Sequence, residues 1–455
     1  MMMLSEASTA MQGRLNGSDE CFQSVEIDTR RLDKGALYFA IHGESKNGHD
    51  YIGQAMAQGA ASAVADEVFQ DAQATRHIQV EDTTIALGML ARHWRERFSV
   101  PVIGITGSNG KTTVCRIVGC LFAEHIPGIT PQGSFNNHWG VPLTLLKLRE
   151  QHQSAVIEMG MNHAGELSYL GKIVKPTIAL ITNAAAAHLE GLKTIEGVAR
   201  AKGELIDFVS DRGTVVLNRD DAFYKQWKAR AGSKKCISFG GHPDSDIRIL
   251  ATENTRMNLS IKGRELTFEC PLIGRHNGLN VAAAVAVAVE AGVPIKAIET
   301  GLRKANAVVG RLNVFRLSPD FMLIDDSYNA NQASMLAAID VLADQGGRKV
   351  LVLGAMGELG DDSKRIHEEI AAYAKEKGIN VLLTLVERSE VKYLEDMAAY
   401  LAGFGAGSAA FSEVQDLVAR IASFSVPTTV LVKGSRLARM ERIIDALKPT
   451  GDSLC

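Results

Sequence analysis

The fold can be predicted outward from one stretch of the chain, Ile105-Thr106-Gly107-Ser108-Asn109-Gly110-Lys111-Thr112-Thr113. An apolar run that predicts a strand precedes it, and a run typical of an amphipathic helix follows it. Glycines allow the backbone to curl so that successive N–H groups face a phosphate, and the helix N-terminus adds a partial positive charge. Lys111 would lie against the β- and γ-phosphates, and the Thr112 hydroxyl would hold Mg²⁺. The stretch therefore favours a nucleotide-binding loop over a glycine-rich turn that only caps a helix, although Ile105 stands where the usual pattern has glycine.

Polar residues end the strands predicted after this loop. Glu158 ends the apolar run 155–158, Asn183 ends the run 178–183, and His188 follows five residues later. Ligands of open parallel sheets bind at the carboxyl ends of the strands, so these side chains are expected to converge near the loop. A carboxylate and an imidazole there could hold a second Mg²⁺. Glu158 as a helix-cap partner and His188 as a hydrogen-bonded loop residue remain the alternatives.

The pattern around the loop predicts an α/β protein of three domains. A length of 455 residues exceeds what one hydrophobic core usually supports. We expect a small N-terminal α/β domain (1–98), a central P-loop-type domain with a mostly parallel sheet (99–310) and a C-terminal Rossmann-like domain (311–455). The central domain is expected to end in an antiparallel edge between 246 and 270, where short alternating runs replace the continuous apolar strands.

Composition excludes several classes of protein. Hydrophobic residues at 46% and charged residues at 22% exclude a disordered chain, and a net charge of -3 gives no global basic field for nucleic acid. The longest apolar run, 281–289, is about half a membrane span. Six scattered cysteines without a CxxC pair, and no visible signal peptide, predict a cytoplasmic protein with reduced thiols.

Two further groups of polar residues are expected in turns after strands of the third domain. Lys433-Gly434-Ser435-Arg436 would suit an anionic group, or could be an ordinary helix-start turn with surface charges. The run 325–331, with Asp325 and Asn331 at its ends, is a site or a capped turn. Lys202, on a predicted helix with Ile195 and Val198 toward the core, is expected from its residues alone to be solvated.

Together these residues resemble the ATP-dependent Mur ligase family of peptidoglycan precursor synthesis, over nearly the whole chain. The family signature Thr-Gly-x-Asn-Gly-Lys-Thr matches 106–112, which accounts for the misfit to the ordinary P-loop. Further motifs of the resemblance are 28–30, 47–49, 135–146, 325–331 and 432–436.

The resemblance implies roles residue by residue. The implied catalytic residues are Lys111, Lys202, His188 and Glu158, and the implied ligands of two Mg²⁺ ions are Thr112, Glu158, His188 and Lys202, with Lys202 carbamylated by CO₂. Implied ATP contacts are Gly107, Ser108, Asn109, Gly110, Lys111, Thr112, Thr113, Asn183, Asn280, Arg311 and Asp325. Implied substrate contacts are Asp28, Thr29, Arg30, Gly43, His49, Asn136, Asn137, Asp326, Asn329, Asn331, Lys433, Ser435 and Arg436.

The same resemblance implies a reaction and its partners. We expect ATP-driven ligation of D-alanyl-D-alanine to UDP-MurNAc-tripeptide, by a monomer that needs neither nucleic acid nor a membrane. The third domain would close over ATP to exclude water from an acyl phosphate. The rivals are a sister ligase that adds a diamino acid to the dipeptide precursor and a non-catalytic nucleotide-binding switch. Ala355 and Gln332 depart from the family's Asp and Pro at these positions and loosen the expectation for the amino-acid pocket.

Overall fold

The computed structural model describes residues 1–448 apart from 44, 67–75, 132, 134, 187–188, 254, 387–392 and 425. Its strands form three large sheets that follow one another along the chain and a small two-stranded pairing at the N-terminus. The first large sheet has the order β2-β7-β6-β5-β4, in which β4 to β7 are parallel and β2 is antiparallel. The strands are β1 Met2–Met3, β2 Arg14–Asn16, β3 Cys21–Phe22, β4 Ser24–Glu26, β5 Ala36–Phe39, β6 Ser62–Ala65 and β7 His77–Gln79. The helices are α1 Leu4–Ala10, α2 Ile52–Ala57 and α3 Thr83–Arg95.

The second sheet is central and mostly parallel, as the continuous apolar strands predict. Its order is β16-β15-β14-β13-β12-β11-β8-β10-β9, and neighbours pair in parallel except at β15 and β16, where β15 is antiparallel to β14 and β16 is antiparallel to β15. These two strands confirm the antiparallel edge expected between 246 and 270. The strands are β8 Val102–Thr106, β9 Gly128–Ile129, β10 Ser154–Glu158, β11 Ile178–Ile181, β12 Thr214–Asn218, β13 Lys235–Gly240, β14 Ile247–Glu253, β15 Arg256–Ile261 and β16 Arg264–Glu269.

Helices cover both faces of the central sheet. Successive strand residues alternate between two apolar cores, so Ile103 packs on one face and Val102 on the other. One face packs against α4, α10 and α11, and the other against α5, α6 and α8. The helices are α4 Lys111–Phe122, α5 Gly140–Leu145, α6 Glu166–Val174, α7 Leu189–Leu192, α8 Ile195–Gly203, α9 Tyr224–Ala231, α10 Arg275–Glu290 and α11 Ile295–Arg303.

The third sheet is parallel except for its first strand. Its order is β17-β18-β22-β19-β20-β21, with β17 antiparallel to β18. The strands are β17 Asn313–Ser318, β18 Phe321–Asp326, β19 Arg348–Leu353, β20 Val381–Leu385, β21 Ser408–Phe411 and β22 Thr428–Lys433. The helices are α12 Gln332–Ala343, α13 Ser363–Glu376, α14 Leu394–Phe404, α15 Val414–Ala422 and α16 Glu441–Leu447. The fold class is thus confirmed, while the domain limits 1–98, 99–310 and 311–455 stay a prediction.

The helix predicted around Lys202 differs from expectation in two ways. Ile195 is 39% exposed rather than in the core, because it is the first residue of α8, directly after the Thr194 cap. Lys202 lies near the buried end of α8 and is 1% exposed, so the prediction of a solvated lysine is wrong. No helix in the described ranges is long and apolar enough to cross a membrane.

Candidate active site

A cavity of about 650 Å³ lies where the carboxyl edge of the central sheet faces the third sheet. It is lined from both sheets by residues that the sequence singled out: Ser108, Asn109, Gly110, Lys111, Thr112, Thr113, Asn136, Glu158, Asn183, Asn280, Arg311, Asp326, Asn329, Asn331, Lys433, Ser435 and Arg436. The parallel order β11-β8-β10 brings the first group together, because the carboxyl ends of these strands lie side by side.

Two glycines allow the loop after β8 to curl. A Cβ on Gly107 would lie 1.8 Å from the Thr182 Oγ1, and a Cβ on Gly110 would lie 2.2 Å from the Asn280 Oδ1. Gly110 also has a φ of 84° directly before α4, a conformation that side chains disfavour. The glycines therefore let the loop approach Thr182 behind it and Asn280 at the cavity closely.

Asn183 holds the loop in place from the end of β11. Its carbonyl accepts the Ser108 N–H at 3.0 Å, and its side-chain Oδ1 accepts the Asn109 N–H at 2.9 Å. The Asn183 amide also donates to the Asn109 carbonyl at 3.2 Å. Asn183 thus positions the loop backbone. From its place at a strand end alone, this role could not be told apart from direct contact with a ligand.

The floor of the cavity contains an incompletely paired carboxylate. Glu158 is 1% exposed, and its Oε1 accepts a hydrogen bond of 2.7 Å from the Asn136 amide. Its Oε2 is buried without a hydrogen-bond partner in the described part of the chain. A buried carboxylate oxygen is costly to leave unpaired, which favours a cationic ligand at this place.

Lys111 interacts with this carboxylate, and Lys202 in turn interacts with Lys111. The Lys111 ammonium donates to the Gly107 carbonyl at 2.8 Å; burial lowers its pKa, and the charge of Glu158 acts in the opposite direction. Burial, with the charge of Lys111 adding to it, lowers the pKa of Lys202 well below its ordinary value. Burial thus favours the neutral amine of Lys202 over its ammonium form.

The third sheet contributes a second set of charges. The buried Lys433 ammonium donates to the Asp326 Oδ2 at 2.6 Å and to the Asn329 carbonyl at 2.9 Å. The Arg436 N–H donates to the Asn329 Oδ1 at 3.2 Å. The run 325–331 and the turn after β22 therefore form one cluster, because β18 and β22 are parallel neighbours.

Two contacts join this cluster to the loop after β8. The Asn331 amide donates to the Asn109 Oδ1 at 2.8 Å, and the Arg311 guanidinium reaches the Thr112 Oγ1 at 3.4 Å. The Arg311 guanidinium also lies over the Tyr328 ring, 4.6 Å from its centroid. Asn331 begins α12 with a reciprocal cap involving Ser334. The two sheets thus build the cavity jointly.

Some predicted residues do not line the cavity. The Asn137 Oδ1 accepts the Gly140 N–H at 2.9 Å at the start of α5, and the Asp325 Oδ1 accepts the Ser327 hydroxyl at 2.6 Å. Lys202 is buried in α8, and Gly107 lies against Thr182. His188 lies outside the described residues.

The predicted substrate residues of the N-terminal sheet form a separate group, away from the cavity. Asp28 pairs with Arg30 at 2.7 Å, and hydrogen bonds from Arg30 lower the pKa of Asp28 to about 2. Thr29 is buried in the short turn that Asp28 caps. Gly43 and His49 lie on the loop after β5, with the Gly43 N–H donating to the Lys46 carbonyl at 2.9 Å.

Sequence reasoning missed several cavity residues. His276, Asn277, Tyr328 and Glu358 line the cavity. Asn277 accepts a 2.9 Å hydrogen bond from Asn280 through its side chain. Burial lowers the pKa of His276, with Asp326 opposing and Lys433 adding to the shift. His276 and Asn277 begin the same helix as Asn280, so the run 276–280 carried a signal that we assigned only to its last member.

The two departures from the family pattern occupy positions that the fold tolerates. The Ala355 carbonyl accepts the Ser435 N–H at 3.0 Å, a backbone contact that is independent of the side chain. Gln332 is the first residue of α12, where proline is favoured but not required.

Comparison with known proteins gives matches over the whole described architecture. Family models match in three parts: the Mur ligase family catalytic domain over 22–95, the Mur ligase middle domain over 105–288, and the Mur ligase glutamate ligase domain over 310–436. The chain is 35% identical to the UDP-N-acetylmuramoyl-tripeptide–D-alanyl-D-alanine ligase of Escherichia coli strain K12, covering 98% of each chain.

Solved structures agree with these matches. The crystal structure of MurF from Acinetobacter baumannii has a TM-score of 0.89 at 31% identity and covers 97% of this chain and 98% of that one. The structure of MurF ligase from Thermotoga maritima in complex with ADP has a TM-score of 0.81 at 25% identity, and the match covers 93% of this chain and 97% of that one.

Proposed function

This chain belongs to the Mur ligase family, and we propose that it joins D-alanyl-D-alanine to UDP-N-acetylmuramoyl-tripeptide with cleavage of ATP. The proposal rests on the cavity itself, in which a loop typical of phosphate binding faces Lys433 and Arg436 of the third sheet. A ligase that uses ATP must bring the nucleotide close to the amine that accepts the acyl group. Two sheets that face one cavity allow this. The relatives bearing this enzyme name cover nearly the full length of the chain.

The reaction proceeds in two steps. The terminal carboxylate of the tripeptide attacks the γ-phosphorus of ATP, the bond to ADP breaks, and an acyl phosphate forms. The neutral amine of D-alanyl-D-alanine then attacks the acyl carbon, and inorganic phosphate leaves from the tetrahedral intermediate. The first step brings like charges together, so Lys111 and the loop N–H groups must neutralise the triphosphate.

The residues present fit Mg²⁺. The unpaired Oε2 of Glu158 is a buried oxygen ligand without a partner among the described residues, and the Thr112 hydroxyl lies at the start of α4 on the same cavity. Bound Mg²⁺ would supply charge neutralisation for the transferred phosphoryl group. Glu158 and Thr112 would hold it, with His188 as a further candidate outside the described residues.

Lys202 fits the proposed carbamylation. Burial lowers its pKa and so favours the neutral amine, which can attack CO₂ to form the N–C bond and release one proton. The product is an anionic carbamate, which the cationic Lys111 nearby would attract. In ¹³C NMR with ¹³C-labelled bicarbonate, the native protein is expected to show one carbamate signal that Lys202→Gln lacks and that replacement of the exposed Lys225 retains. A signal that survives Lys202→Gln would contradict the assignment.

The Rossmann-like third part is proposed to bind D-alanyl-D-alanine, and the N-terminal sheet the UDP-sugar. Lys433, Ser435 and Arg436 offer donors for a carboxylate at the cavity. Asp28, Thr29 and Arg30 form a turn at the edge of the N-terminal sheet, with Arg30 exposed, Asp28 partly exposed and Thr29 buried.

The decisive experiment is phosphate release from ATP by the purified protein with UDP-MurNAc-tripeptide. Release is expected only when D-alanyl-D-alanine is also present, and single amino acids are expected to fail. Release that requires the dipeptide precursor and a diamino acid would identify the sister reaction instead. No release with any muramyl substrate would overturn the proposed function.

A further inference from the structure

A group of two histidines and an aspartate lies in the N-terminal sheet, away from the cavity. We call His42, His49 and Asp66 the His–Asp cluster. Their ligand atoms all lie within 4.8 Å of one another. The His42 Nε2 is 2.5 Å from the Asp66 Oδ2, and the His49 Nε2 is 3.4 Å from the Asp66 Oδ1. None of the three lines the cavity between the other two sheets.

Topology brings the cluster together. His42 follows β5 and Asp66 follows β6, and these parallel neighbours end at the same edge. The chain after His42 folds back through a bridge between His42 and Asn47, which returns His49 to that edge. Gly48 lies so close to Ile41 that a Cβ would be 2.5 Å from the Ile41 N atom. The Tyr38 hydroxyl, whose pKa burial raises to about 12, donates to the Gly48 carbonyl at 2.9 Å and anchors the turn.

The orientation of His49 is that of a metal ligand. Its Nδ1 lies 2.8 Å from the Asn47 Oδ1, an acceptor, so Nδ1 carries the proton. Its Nε2 faces the cluster as an acceptor and receives the Asp66 N–H at 3.4 Å, a long hydrogen bond that a metal ion would replace. Ligating histidines almost always donate their second ring N–H to an oxygen in this way. Asn47 therefore supplies the outer partner that a metal site requires.

The spacing and exposure also fit a transition metal. Tetrahedral zinc with bonds of about 2.0–2.2 Å separates its ligand atoms by about 3.4 Å. The cluster spans this separation, and the His42 imidazole, 52% exposed, can turn to open the short contact with Asp66. Asp66 and His49 are each 10% exposed in their side chains, so the fixed part of the site is buried while one side faces solvent.

We propose that His42, His49 and Asp66 form a divalent transition-metal site of the Zn²⁺ class, with two imidazole nitrogens, one carboxylate oxygen and an open position for water. Imidazole ligands favour Zn²⁺ over Mg²⁺, which prefers oxygen ligands. A bound ion would fasten the loop 42–49 to the end of β6. His49 is also an expected contact of the UDP-sugar, but the proposed ligase reaction does not require this metal, so failure of the metal site would leave that reaction standing.

Zinc titration of the full-length protein tests the proposal. Zn²⁺ is added against a chromophoric chelator, with excess Mg²⁺ and ADP present so that binding at the nucleotide site is common to all variants. His42→Ala and Asp66→Asn are each expected to lose one zinc equivalent, or at least about tenfold in affinity, and Asn47→Ala roughly tenfold. His93→Ala is the matched control, because His93 pairs with Glu6 at 2.7 Å without a second imidazole, and it is expected to bind as the native protein does.

A second readout guards against misfolded variants. Zn²⁺ is expected to raise the melting temperature of the native protein and of His93→Ala but not of His42→Ala, whose exposed side chain should be replaceable without unfolding. Zinc-edge anomalous diffraction is expected to show a peak between the three side chains. Equal zinc binding by the native protein and His42→Ala, or no peak at the cluster, would overturn the proposal and leave an ordinary hydrogen-bonded cluster.

Discussion

The cavity and the N-terminal polar turn use charged residues in opposite ways. In the cavity, the Glu158 Oε2 is buried without a partner among the described residues, and burial lowers the pKa values of Lys111 at the cavity and of Lys202 near it. In the N-terminal turn, Asp28 and Arg30 satisfy each other through a short ion pair in contact with solvent. The first region is arranged for charges that a ligand brings, and the second is already balanced. Substitutions in the first should reduce activity with little loss of stability, whereas those in the second should affect one substrate only.

The largest effect is expected for Lys111→Met. Removing the cation at the phosphate loop should lower kcat by about 100- to 1000-fold, as for loss of a preorganised group that stabilises transition-state charge. The melting temperature should not fall, because burial already disfavours the ammonium. Phosphate release and thermal unfolding measure the two quantities. A large drop in melting temperature with retained turnover would contradict the proposed difference between the cavity and the N-terminal turn.

The next largest effect is expected for Glu158→Gln. The substitution keeps an oxygen for the Asn136 amide but removes the charge that would neutralise Mg²⁺, so kcat should fall by roughly 100-fold. Its Mg²⁺ dependence should shift to higher concentration. Glu166→Gln, on the surface of α6, is the matched control and should leave both quantities unchanged. Unchanged Mg²⁺ dependence in Glu158→Gln would remove Glu158 from the metal site.

Lys202→Met is expected to separate stability from function. A buried lysine whose folded pKa is lowered destabilises the fold increasingly as the pH falls from the unfolded value of 10.5 toward the folded value, because the unfolded chain binds the proton more readily. In CO₂-free buffer the variant should therefore melt higher than the native protein, and the difference should widen as the pH falls. Activity should drop at least tenfold with loss of the proposed metal ligand. A melting difference that shrinks toward low pH would contradict the burial argument.

Asp28→Asn should affect only the UDP-sugar. Asparagine can still cap the turn at 29–31, but the charge pairing with Arg30 is lost. We expect KM for the UDP-linked substrate to rise about tenfold, the loss of one charged hydrogen bond, with kcat and KM for ATP unchanged. Because the pKa of Asp28 is about 2, the native KM should not vary between about pH 5 and 8 through this group. A change in KM for ATP would contradict the proposal that the N-terminal turn and the cavity bind different substrates.

The smallest effect is expected for Asn331→Ala, which removes the contact between the third sheet and Asn109. Loss of one neutral hydrogen bond, about 1 kcal/mol, should raise KM for ATP several-fold. Ser334→Ala is the control, because it disturbs the same helix cap without touching the loop, and it should lower stability only. If both variants raise KM for ATP equally, the cap of α12, and not the hydrogen bond between Asn331 and Asn109, positions the loop.

Much of the fold could be predicted because its signals are local. The strand before Gly107, the helix after Lys111 and the antiparallel edge near 256–269 follow from apolar periodicity, and the structure confirms them. Sequence reasoning failed where burial depends on distant elements. The burial of Lys202 follows from how the end of α8 packs behind the central sheet, and no pattern within α8 reveals it.

The chemistry of the site was also predictable in part, because some of its signals are local along the chain. The loop 106–113 and the ends of β10 and β11 converge through parallel pairing, which the strand order allows one to anticipate. Asn137 and Asp325 serve local turns instead of lining the cavity, and His276 lines it unpredicted. Short polar side chains at strand and helix ends can serve either purpose, and only packing decides between them.

By itself, the sequence determined the α/β class, the phosphate-type loop and the family resemblance, since these depend on spacing along the chain. Tertiary structure alone decided which charges are buried, which are paired and which sheets share the cavity. It also brought His42, His49 and Asp66 together across 24 residues of chain. The physical reason is that the pKa of a group and the partners of a side chain depend on neighbours in space, and the order of residues does not specify those neighbours.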